Sequence, residues 1–486
     1  MSTDGLKRLV SEWHKNSYFQ NKSMLPDSSP NIELLHAAID VDKTTKETLF
    51  SSLISSMVPY LRVIQRSSKL LGFIVLRFLV TCVLAAYYLI DGTWLAVRRS
   101  RRPENYECSA RVLDILGRHK YDTLVNLNSI SDFILLHRGF DHPGRILADE
   151  VSLYEVNDEQ AVFVETPPGV EVWRGRLNSF HAIAQLENAV RVVVLPIESF
   201  YRLADEFGDP KGKLVFIMNT ARCGSTLLSQ IYEKTDEFLS LSEPTGINCL
   251  RRFVGHEDDA SVQYHARAII RVLCKPTHLS NFAIKITPNS TKIVPLLKRL
   301  YPNASFVFIY RDVLPVCKSM YKIWKELPMG RLNIILCKFA PWIYLPALNF
   351  SRYYDPVLPE ERFRVIPGYG QGCLLWANVI GMYRRFRRSG IDIAAVKYED
   401  LVQDKELAVR RLFQYNGISL TLVEPALRAF ESDSQANSLI SMEVLKKTKL
   451  PPFTDDMKTE TNKICVHYEL PKIGESCVLE GTITRE

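Results

Sequence analysis

The stretch that most constrains the fold runs from Lys213 to Thr235 and reads KLVFIMNTARCGSTLLSQIYEKT. Lys213 to Met218 form an apolar run of buried-strand length, and a short polar turn follows it. After the turn, apolar residues recur with helical spacing, namely Leu227, Leu228, Ile231 and Tyr232. The sequence therefore predicts a strand, a tight loop and the beginning of a helix.

The loop itself has the composition of an anion-binding site. Gly224 permits a close approach of the backbone, and the free N–H groups of the following helix point toward a ligand placed there. Ser225 and Thr226 add hydroxyl donors, and Arg222 adds a planar cation suited to phosphate or sulfonate. The sequence predicts either a site for a phosphate-like group or a strand-to-helix turn that binds nothing.

This loop differs from the nucleotide-triphosphatase loop, G-x-x-x-x-G-K-[ST]. Ser225 stands where the Lys of that motif would be, and Asn219 stands where its first Gly would be. The cation, Arg222, precedes Gly224 instead. The arrangement R-x-G-S-T-L-L resembles the 5′-phosphosulfate-binding loop of the sulfotransferase family, whose members use 3′-phosphoadenosine 5′-phosphosulfate. An ATP- or GTP-using P-loop enzyme is an alternative, against which the missing Gly-Lys pair counts.

Two later segments fit the same resemblance in the family's order. The apolar strand SFVFIY runs directly into Arg311, and Ser319 follows at the spacing of the family's 3′-phosphate-binding segment. Leu314 departs from this pattern, because relatives often carry another Arg there. The segment VKYEDLV resembles the family's late strand and Y-E-D-L motif, which implies that Tyr398 lies near the nucleotide. The residues around Arg311 look most similar to the tyrosylprotein and carbohydrate branches, which act in the Golgi.

The resemblance implies an enzyme that moves a sulfuryl group from 3′-phosphoadenosine 5′-phosphosulfate to a hydroxyl acceptor, which could be a glycan, a protein tyrosine or a small molecule. Arg222 and Lys285 are the expected sulfonate-binding cations, and Glu243 is the expected catalytic base, with a solvent-facing turn residue as its alternative. The expected cofactor-binding residues are Arg222, Cys223, Gly224, Ser225, Thr226, Arg311, Ser319 and Tyr398. The chemistry requires no metal. A catalytically inactive scaffold that retains the fold is the second alternative.

Two further segments are assigned by position. Asp433 to Gln435 and the pair Lys446-Lys447 fall where family members place a loop and a Lys that close over the nucleotide, although the two lysines could equally be a solvated pair. Trp324 to Gly372 is rich in Trp, Tyr and Pro, and we expect it to line the acceptor cleft, because aromatic faces suit sugars, peptides and lipids alike.

From Lys213 onward, strands and helices alternate, which predicts an α/β fold with a P-loop-type parallel sheet flanked by helices. Ligands of such sheets bind beyond the carboxyl ends of the strands, where the motifs above all fall. A small α+β region and an apolar N-terminal helix precede this sheet. The predicted divisions are a polar N-terminal region (1–69), the apolar helix (70–97), the α+β region (105–205), the sulfotransferase-like domain (213–450) and a C-terminal extension (451–486).

The apolar helix is a candidate membrane anchor. Phe73 to Ile90 contain one charge, Arg77, and approach the length that crosses a bilayer. Arg77 near the middle favours the alternative, a buried or interfacial helix packed on the catalytic domain. Basic residues flank both ends, so orientation is undecided. Membrane association is the expected location, at the Golgi if the branch resemblance extends that far, and a cytoplasmic location stays open.

Charge and cysteine content restrict the partners. The net charge is +7 over 486 residues, yet no Lys/Arg run is long enough to indicate nucleic acid binding. The ten cysteines are scattered without a C-x-x-C pair, so neither a zinc site nor a compact disulfide framework is expected. The predicted partners are a hydroxyl-bearing acceptor and a membrane.

Overall fold

Two five-stranded sheets of opposite kind form the framework of the chain. The computed structural model describes residues 65–121, 128–174, 177, 179–343, 364–436, 438 and 440–484. Residues 69–486 form one compact unit. The predicted polar N-terminal region lies outside the described residues up to residue 64, as does the part of the predicted acceptor segment from 344 to 363.

The first sheet is antiparallel and has the strand order β2-β1-β5-β4-β3. Its region contains α1 (Gln65–Ile90), α2 (Thr93–Ser100), β1 (Ala110–Arg118), β2 (Phe133–Asp141), β3 (Val151–Val156), β4 (Gln160–Glu165), α3 (His181–Asn188), β5 (Arg191–Pro196) and α4 (Ile197–Phe207). β3, β4 and β5 are largely buried, whereas most residues of β1 and β2 are partly exposed.

The second sheet is parallel and has the strand order β10-β9-β6-β8-β7, which confirms the predicted α/β class. Its elements are β6 (Leu214–Asn219), α5 (Ser225–Glu233), β7 (Phe238–Ser242), α6 (Thr245–Asn248), α7 (Ala260–Leu273), β8 (Asn281–Lys285), α8 (Val294–Leu300), β9 (Ser305–Tyr310), α9 (Val313–Glu326), α10 (Pro328–Phe339), α11 (Tyr369–Arg388), β10 (Ala394–Lys397), α12 (Tyr398–Gln403), α13 (Lys405–Asn416), α14 (Val423–Leu427), α15 (Met442–Lys446) and α16 (Asp455–His467).

β6 is the central strand, and all six of its residues are buried. Side chains on one face of β6, including Phe216 and Met218, join a core that extends to Phe163 and Leu195 of the antiparallel sheet. Side chains on the other face pack with α5 and α13 in a second cluster. The shared core fixes the α+β region against the parallel sheet as a packing partner.

The predicted apolar helix over 70–97 is not a single helix. α1 ends at Ile90, and α2 begins at Thr93 after a break at Asp91 and Gly92. Gly92 has φ of 83°, and the Asp91 carboxylate accepts a hydrogen bond from the Thr93 N–H at 2.8 Å, so the break is a capped helix start. By length and composition alone, α1 could cross a membrane.

The C-terminal residues, predicted as an extension, pack into the parallel-sheet core. α16 lies against α11, and Ile464 and Cys465 belong to the shared core. Thr482 forms a bridge with Ala395 of β10, so the chain beyond α16 runs along the sheet. The domain boundaries themselves stay predictions.

This packing predicts that α16 stabilises the whole unit. Ile464→Ala removes a fully buried side chain (0% exposed) and is expected to lower the free energy of unfolding by about 2–5 kcal/mol. Val466→Ala, on the same helix at 58% exposure, is the matched control and is expected to change it by less than about 0.5 kcal/mol. Equal effects in chemical denaturation would show that α16 does not contribute to the core.

Candidate functional site

The loop after β6 has an unusual backbone. Ala221 and Arg222 have φ of 61° and 48°, and Gly224 has φ of 84°. Asn219 holds this path, because its side chain accepts from the Ala221 N–H at 3.0 Å and donates to the Ile286 carbonyl at 2.8 Å. Asn219 stands where the triphosphatase motif has its first Gly. Its side chain thus connects the loop to the end of β8.

Gly224 allows the loop to contact α12. A Cβ atom added to Gly224 would lie 2.3 Å from the ring of Tyr398, far inside van der Waals contact. α5 starts at Ser225, so the N–H groups of Ser225 and Thr226 lack intrahelical acceptors. The loop therefore presents backbone donors at the carboxyl end of β6, beside an aromatic ring.

Arg222 carries a half-buried charge in this loop. Its Nε donates to Ser319 Oγ at 2.8 Å, and its guanidinium also donates to Gln435 Oε1. Within the described part of the chain, no carboxylate lies within 4.0 Å of Arg222, and burial lowers the pKa of its guanidinium to about 10. A partly desolvated cation that no described carboxylate contacts directly favours the binding of an anion.

Arg311, directly after β9, lies on the other side of the loop. Its guanidinium stacks over Tyr398 at 4.5 Å from the ring centre, and its Nε lies 3.6 Å from Glu399. That Nε is buried and has no hydrogen-bond partner. The Arg311 carbonyl accepts from Trp376 Nε1 at 2.8 Å, which fixes the backbone at the strand end.

A cavity of about 520 Å³ lies between these residues. We name it the cationic cavity, because its lining includes Arg222, Arg311, Lys318, Lys322 and Lys446. Asp433 also lines it, but its carboxylate accepts from the backbone N–H groups of Gln435 and Met442 at 3.0 and 3.1 Å. Its lining thus contains five cationic side chains and one carboxylate, which leaves the cavity with net positive charge.

Lys285 and Glu243 form an ion pair beside the loop. The distance from Lys285 Nζ to Glu243 Oε1 is 2.9 Å, and Lys285 also donates to Thr226 Oγ1 and Ser242 Oγ at 3.3 and 3.2 Å. Glu243 has φ of 59°, and its N–H donates to the Lys285 carbonyl at 2.9 Å. A non-glycine residue in this conformation is strained, and such strain is often found at functional sites.

A second cavity, of about 350 Å³, contains this pair. We name it the Glu243 cavity. Arg222, Ser225, Thr226 and Gln435 line both cavities, so the two meet at the loop. The remaining wall is mixed. Its apolar part includes Phe180, Met320, Ile323, Trp324, Leu327 and Leu375, and its polar part includes Asn248, Arg251, Thr287 and Asn289.

The structure brings most of the predicted site residues together. The residues that line the cationic cavity are Arg222, Gly224, Ser225, Thr226, Arg311, Ser319 and Tyr398. Glu243 and Lys285 line the adjoining cavity, where their side chains form an ion pair. Cys223 differs, because its buried thiol lies 3.2 Å from the Ile309 carbonyl and lines neither cavity. Cys223 can contribute only backbone groups.

Sequence reasoning missed several lining residues. Phe180 and Ala182 reach the Glu243 cavity from the α+β region, in which no chemical motif was found. Lys318 and Lys322 lie near Ser319 on α9, and helical spacing could have identified Lys322, which is three residues after Ser319. Lys446 lines the cationic cavity, whereas Lys447 is exposed and pairs with Glu443 at 3.1 Å.

No protein-family model and no curated protein matches the chain. Solved structures similar to it include a sulfotransferase domain from the curacin biosynthetic pathway, 14% identical, which covers 54% of this chain and 98% of that one at a TM-score of 0.30. A sulfotransferase from Mycobacterium tuberculosis H37Rv is 12% identical, and the match covers 51% of this chain and 78% of that one at a TM-score of 0.29. Retinol dehydratase in complex with androsterone and inactive cofactor PAP is 13% identical, and the match covers 55% of this chain and 84% of that one at a TM-score of 0.31.

The contact between Gly224 and Tyr398 gives a stability prediction. Gly224→Ala and Gly390→Ala both place a side chain at φ of 84°, and each is expected to cost about 1–2 kcal/mol. Gly224→Ala adds a clash with Tyr398 and is expected to cost about 1–3 kcal/mol more, whereas Gly390 has nothing within 4 Å. Urea unfolding compares the two, and equal losses would mean that the loop moves freely away from Tyr398.

Proposed function

We propose that this chain is a sulfotransferase that moves a sulfuryl group from 3′-phosphoadenosine 5′-phosphosulfate to a hydroxyl acceptor. The observation that carries the proposal is the meeting of two cavities at one loop. The cationic cavity suits a nucleotide with two separate phosphates, and the adjoining cavity holds a carboxylate and an ammonium.

The residues present fit the proposed cofactor. Among the described residues, the half-buried Arg222 has no carboxylate within 4.0 Å, and the buried Arg311 Nε has no hydrogen-bond partner. We assign the 5′-phosphosulfate to Arg222 and to the backbone and hydroxyl donors of Ser225 and Thr226. We assign the 3′-phosphate to Arg311 and Ser319. Ser319 also accepts a hydrogen bond from Arg222, so it connects the two phosphate-binding groups.

The cofactor supplies an activated sulfuryl group when bound. Glu243 can accept the proton of an acceptor hydroxyl that enters the second cavity, since its Oε atoms line that cavity. Lys285, held by Thr226 and Ser242, places a cation at the junction of the cavities, where negative charge develops during transfer. Sulfuryl transfer thus requires of the protein mainly alignment and charge, as phosphoryl transfer does.

Two alternatives fit these observations less well. An ATP- or GTP-using P-loop enzyme would use a Lys after the loop Gly, but Ser225 stands there and the nearby Lys285 comes from β8 and pairs with Glu243. An inactive scaffold does not require Glu243, Lys285 and Arg222 to line one cavity. The placement of these three residues favours the enzyme.

The finer assignments are part of the proposal. Membership of the tyrosylprotein or carbohydrate branch, and with it a Golgi location, rests on the residues around Arg311. Membrane association rests on the apolar segment 70–97. The acceptor is a glycan, a protein tyrosine or a small molecule, and the apolar wall beside Trp324 accommodates the part of it that carries no charge.

Calorimetric titration of the full chain with 3′-phosphoadenosine 5′-phosphate, beside ATP, tests the cofactor. We expect the bisphosphate to bind more tightly than ATP, because Arg311 lies where a 3′-phosphate would be. Arg311→Ala is expected to weaken binding of the bisphosphate by about 10- to 100-fold, the usual loss of a charge-assisted hydrogen bond.

The matched control is Arg410→Ala, which removes an arginine paired with Glu406 at 2.8 Å on the surface of α13. It is expected to leave both affinities unchanged. Equal binding of ATP and the bisphosphate, or no binding of either to a folded chain, would contradict the proposed cofactor.

Glu243→Gln separates the enzyme from the scaffold. The amide keeps the shape of the side chain and a hydrogen-bond acceptor near Lys285, but it cannot take a proton. The assay measures transfer of a radiolabelled sulfuryl group to a panel of hydroxyl acceptors. Its rate is expected to fall by about 10²- to 10⁴-fold. Affinity for 3′-phosphoadenosine 5′-phosphate is expected to stay within a few-fold. Full activity of the variant would exclude Glu243 as the base, and a wild type that binds the bisphosphate but transfers to no acceptor would favour the scaffold.

A further inference from the structure

α1 has two very different sides. A single stripe along it is half-buried, and the members of this stripe recur every three or four residues, which is the spacing of one helix face. They are Leu70, Phe73, Arg77, Val80, Leu84 and Tyr88. The rest of the circumference between Lys69 and Ile90 is exposed.

The half-buried stripe contacts the edge strand of the antiparallel sheet. Arg77 Nε donates to the Phe133 carbonyl at 3.1 Å, and the His137 N–H donates to Tyr88 Oη at 2.8 Å. Both are backbone groups of β2, which pairs with β1 alone in the sheet. α1 therefore satisfies part of an open sheet edge and is fixed alongside it.

The opposite face of α1 is apolar and carries no charge. Its large exposed side chains are Leu71, Ile74, Val75, Leu76, Phe78, Leu79, Val83, Tyr87, Leu89 and Ile90. The one charged residue between Phe73 and Ile90, Arg77, points to the sheet rather than to this face. A continuous apolar surface of this size marks an interaction site.

The contacts with the antiparallel sheet restrict how α1 can meet a bilayer. They extend from Phe73, whose ring centre lies 5.5 Å from that of His119 directly after β1, to Tyr88, which contacts β2. That length is about 22 Å at the rise of an α-helix, most of the roughly 30 Å hydrocarbon thickness. If α1 crossed the bilayer, the polar edge of the antiparallel sheet would lie within the hydrocarbon, which lipid-exposed sheet edges do not do.

The ends of the apolar face carry positive charge. Lys69 precedes it, and Arg98, Arg99, Arg101 and Arg102 follow it on and after α2. The nearby carboxylates are engaged, Asp91 with the backbone and hydroxyl of Thr93 and Glu104 with Arg102 at 3.8 Å. An apolar face bordered by cations is complementary to an anionic lipid surface.

We propose that α1 docks the protein in the plane of a membrane, with its outward face inserted into one anionic leaflet and its inward stripe held by β2. The helix lies on the bilayer and does not cross it. This inference is independent of the proposed sulfotransferase activity, because it uses only α1, α2 and the antiparallel sheet.

Flotation of the full chain with vesicles tests the docking face. We expect binding to vesicles of phosphatidylcholine with phosphatidylserine and weaker binding to phosphatidylcholine alone. Leu79→Glu with Val83→Glu, at exposures of 55% and 69%, is expected to abolish flotation without changing the unfolding midpoint. The control, Val466→Glu with Val478→Glu at 58% and 48%, is expected to float like the wild type.

The basic border has its own test. Arg98→Glu with Arg99→Glu is expected to weaken binding to the phosphatidylserine vesicles by at least about tenfold and to leave binding to phosphatidylcholine nearly unchanged. Equal losses on the two kinds of vesicle would contradict a role for anionic lipid.

Depth distinguishes docking from crossing. Cys82 and Cys108 are the two exposed cysteines, and Cys82 lies near the middle of α1, so the Cys108→Ser chain can be labelled at Cys82 with a fluorophore. In-plane docking predicts stronger quenching by lipids brominated near the headgroup than by lipids brominated at the chain end, and release by alkaline carbonate. Stronger quenching by the chain-end bromines together with resistance to carbonate would overturn the proposal. The proposal would also fail if the chain did not bind vesicles and sedimentation showed a dimer that Leu79→Glu with Val83→Glu dissociates.

Discussion

The site depends on the half-buried guanidinium of Arg222. Holding a cation there with no described carboxylate in contact is costly, since desolvation disfavours the charge and lowers the pKa of Arg222. Ser319 and Gln435 satisfy donors of the guanidinium but do not neutralise it. The strained loop and the brace formed by Asn219 keep the group in place. An anion in the cationic cavity would complete this arrangement, which gives the fold a physical reason to select phosphate-like ligands.

The antiparallel sheet contributes more than support. Through the shared core it is fixed against the parallel sheet, and through the segment before α3 it supplies Phe180 to the wall of the Glu243 cavity. Lys285 Nζ lies 5.4 Å from the centre of the Phe180 ring, so this apolar residue also adjoins the charged pair. Ser179 donates to the Ser434 carbonyl at 2.9 Å, which connects the same segment to the loop containing Gln435. The region in which the sequence shows no motif therefore bounds the Glu243 cavity and, through Ser434, holds the loop whose Gln435 lines both cavities.

The same sheet also orients the apolar helix. Its edge strand accepts a hydrogen bond from Arg77 and donates one to Tyr88. The charge of Arg77, which is unfavourable in a membrane-crossing helix, is therefore directed away from the apolar face. Under the docking proposal, the antiparallel sheet stands between the membrane and the parallel sheet. The two proposals then describe one molecule, a transferase held at a lipid surface by the sheet that also completes its second cavity.

The sequence by itself determined those elements that a short stretch of residues specifies. The run Lys213 to Met218, the Gly224 turn and the strand before Arg311 follow from burial, backbone freedom and continuous apolar residues, and the structure has β6, α5 and β9 there. β6, β8 and β9 end at one edge of a parallel sheet, and this convergence brought Arg222, Lys285 and Arg311 close together. Tertiary structure alone decided the rest. The position of Phe180 and the packing of α16 depend on contacts between residues far apart in the chain, which no periodicity encodes. The role of Arg77 was likewise undecidable from composition, because only the position of β2 shows which side of the helix it faces.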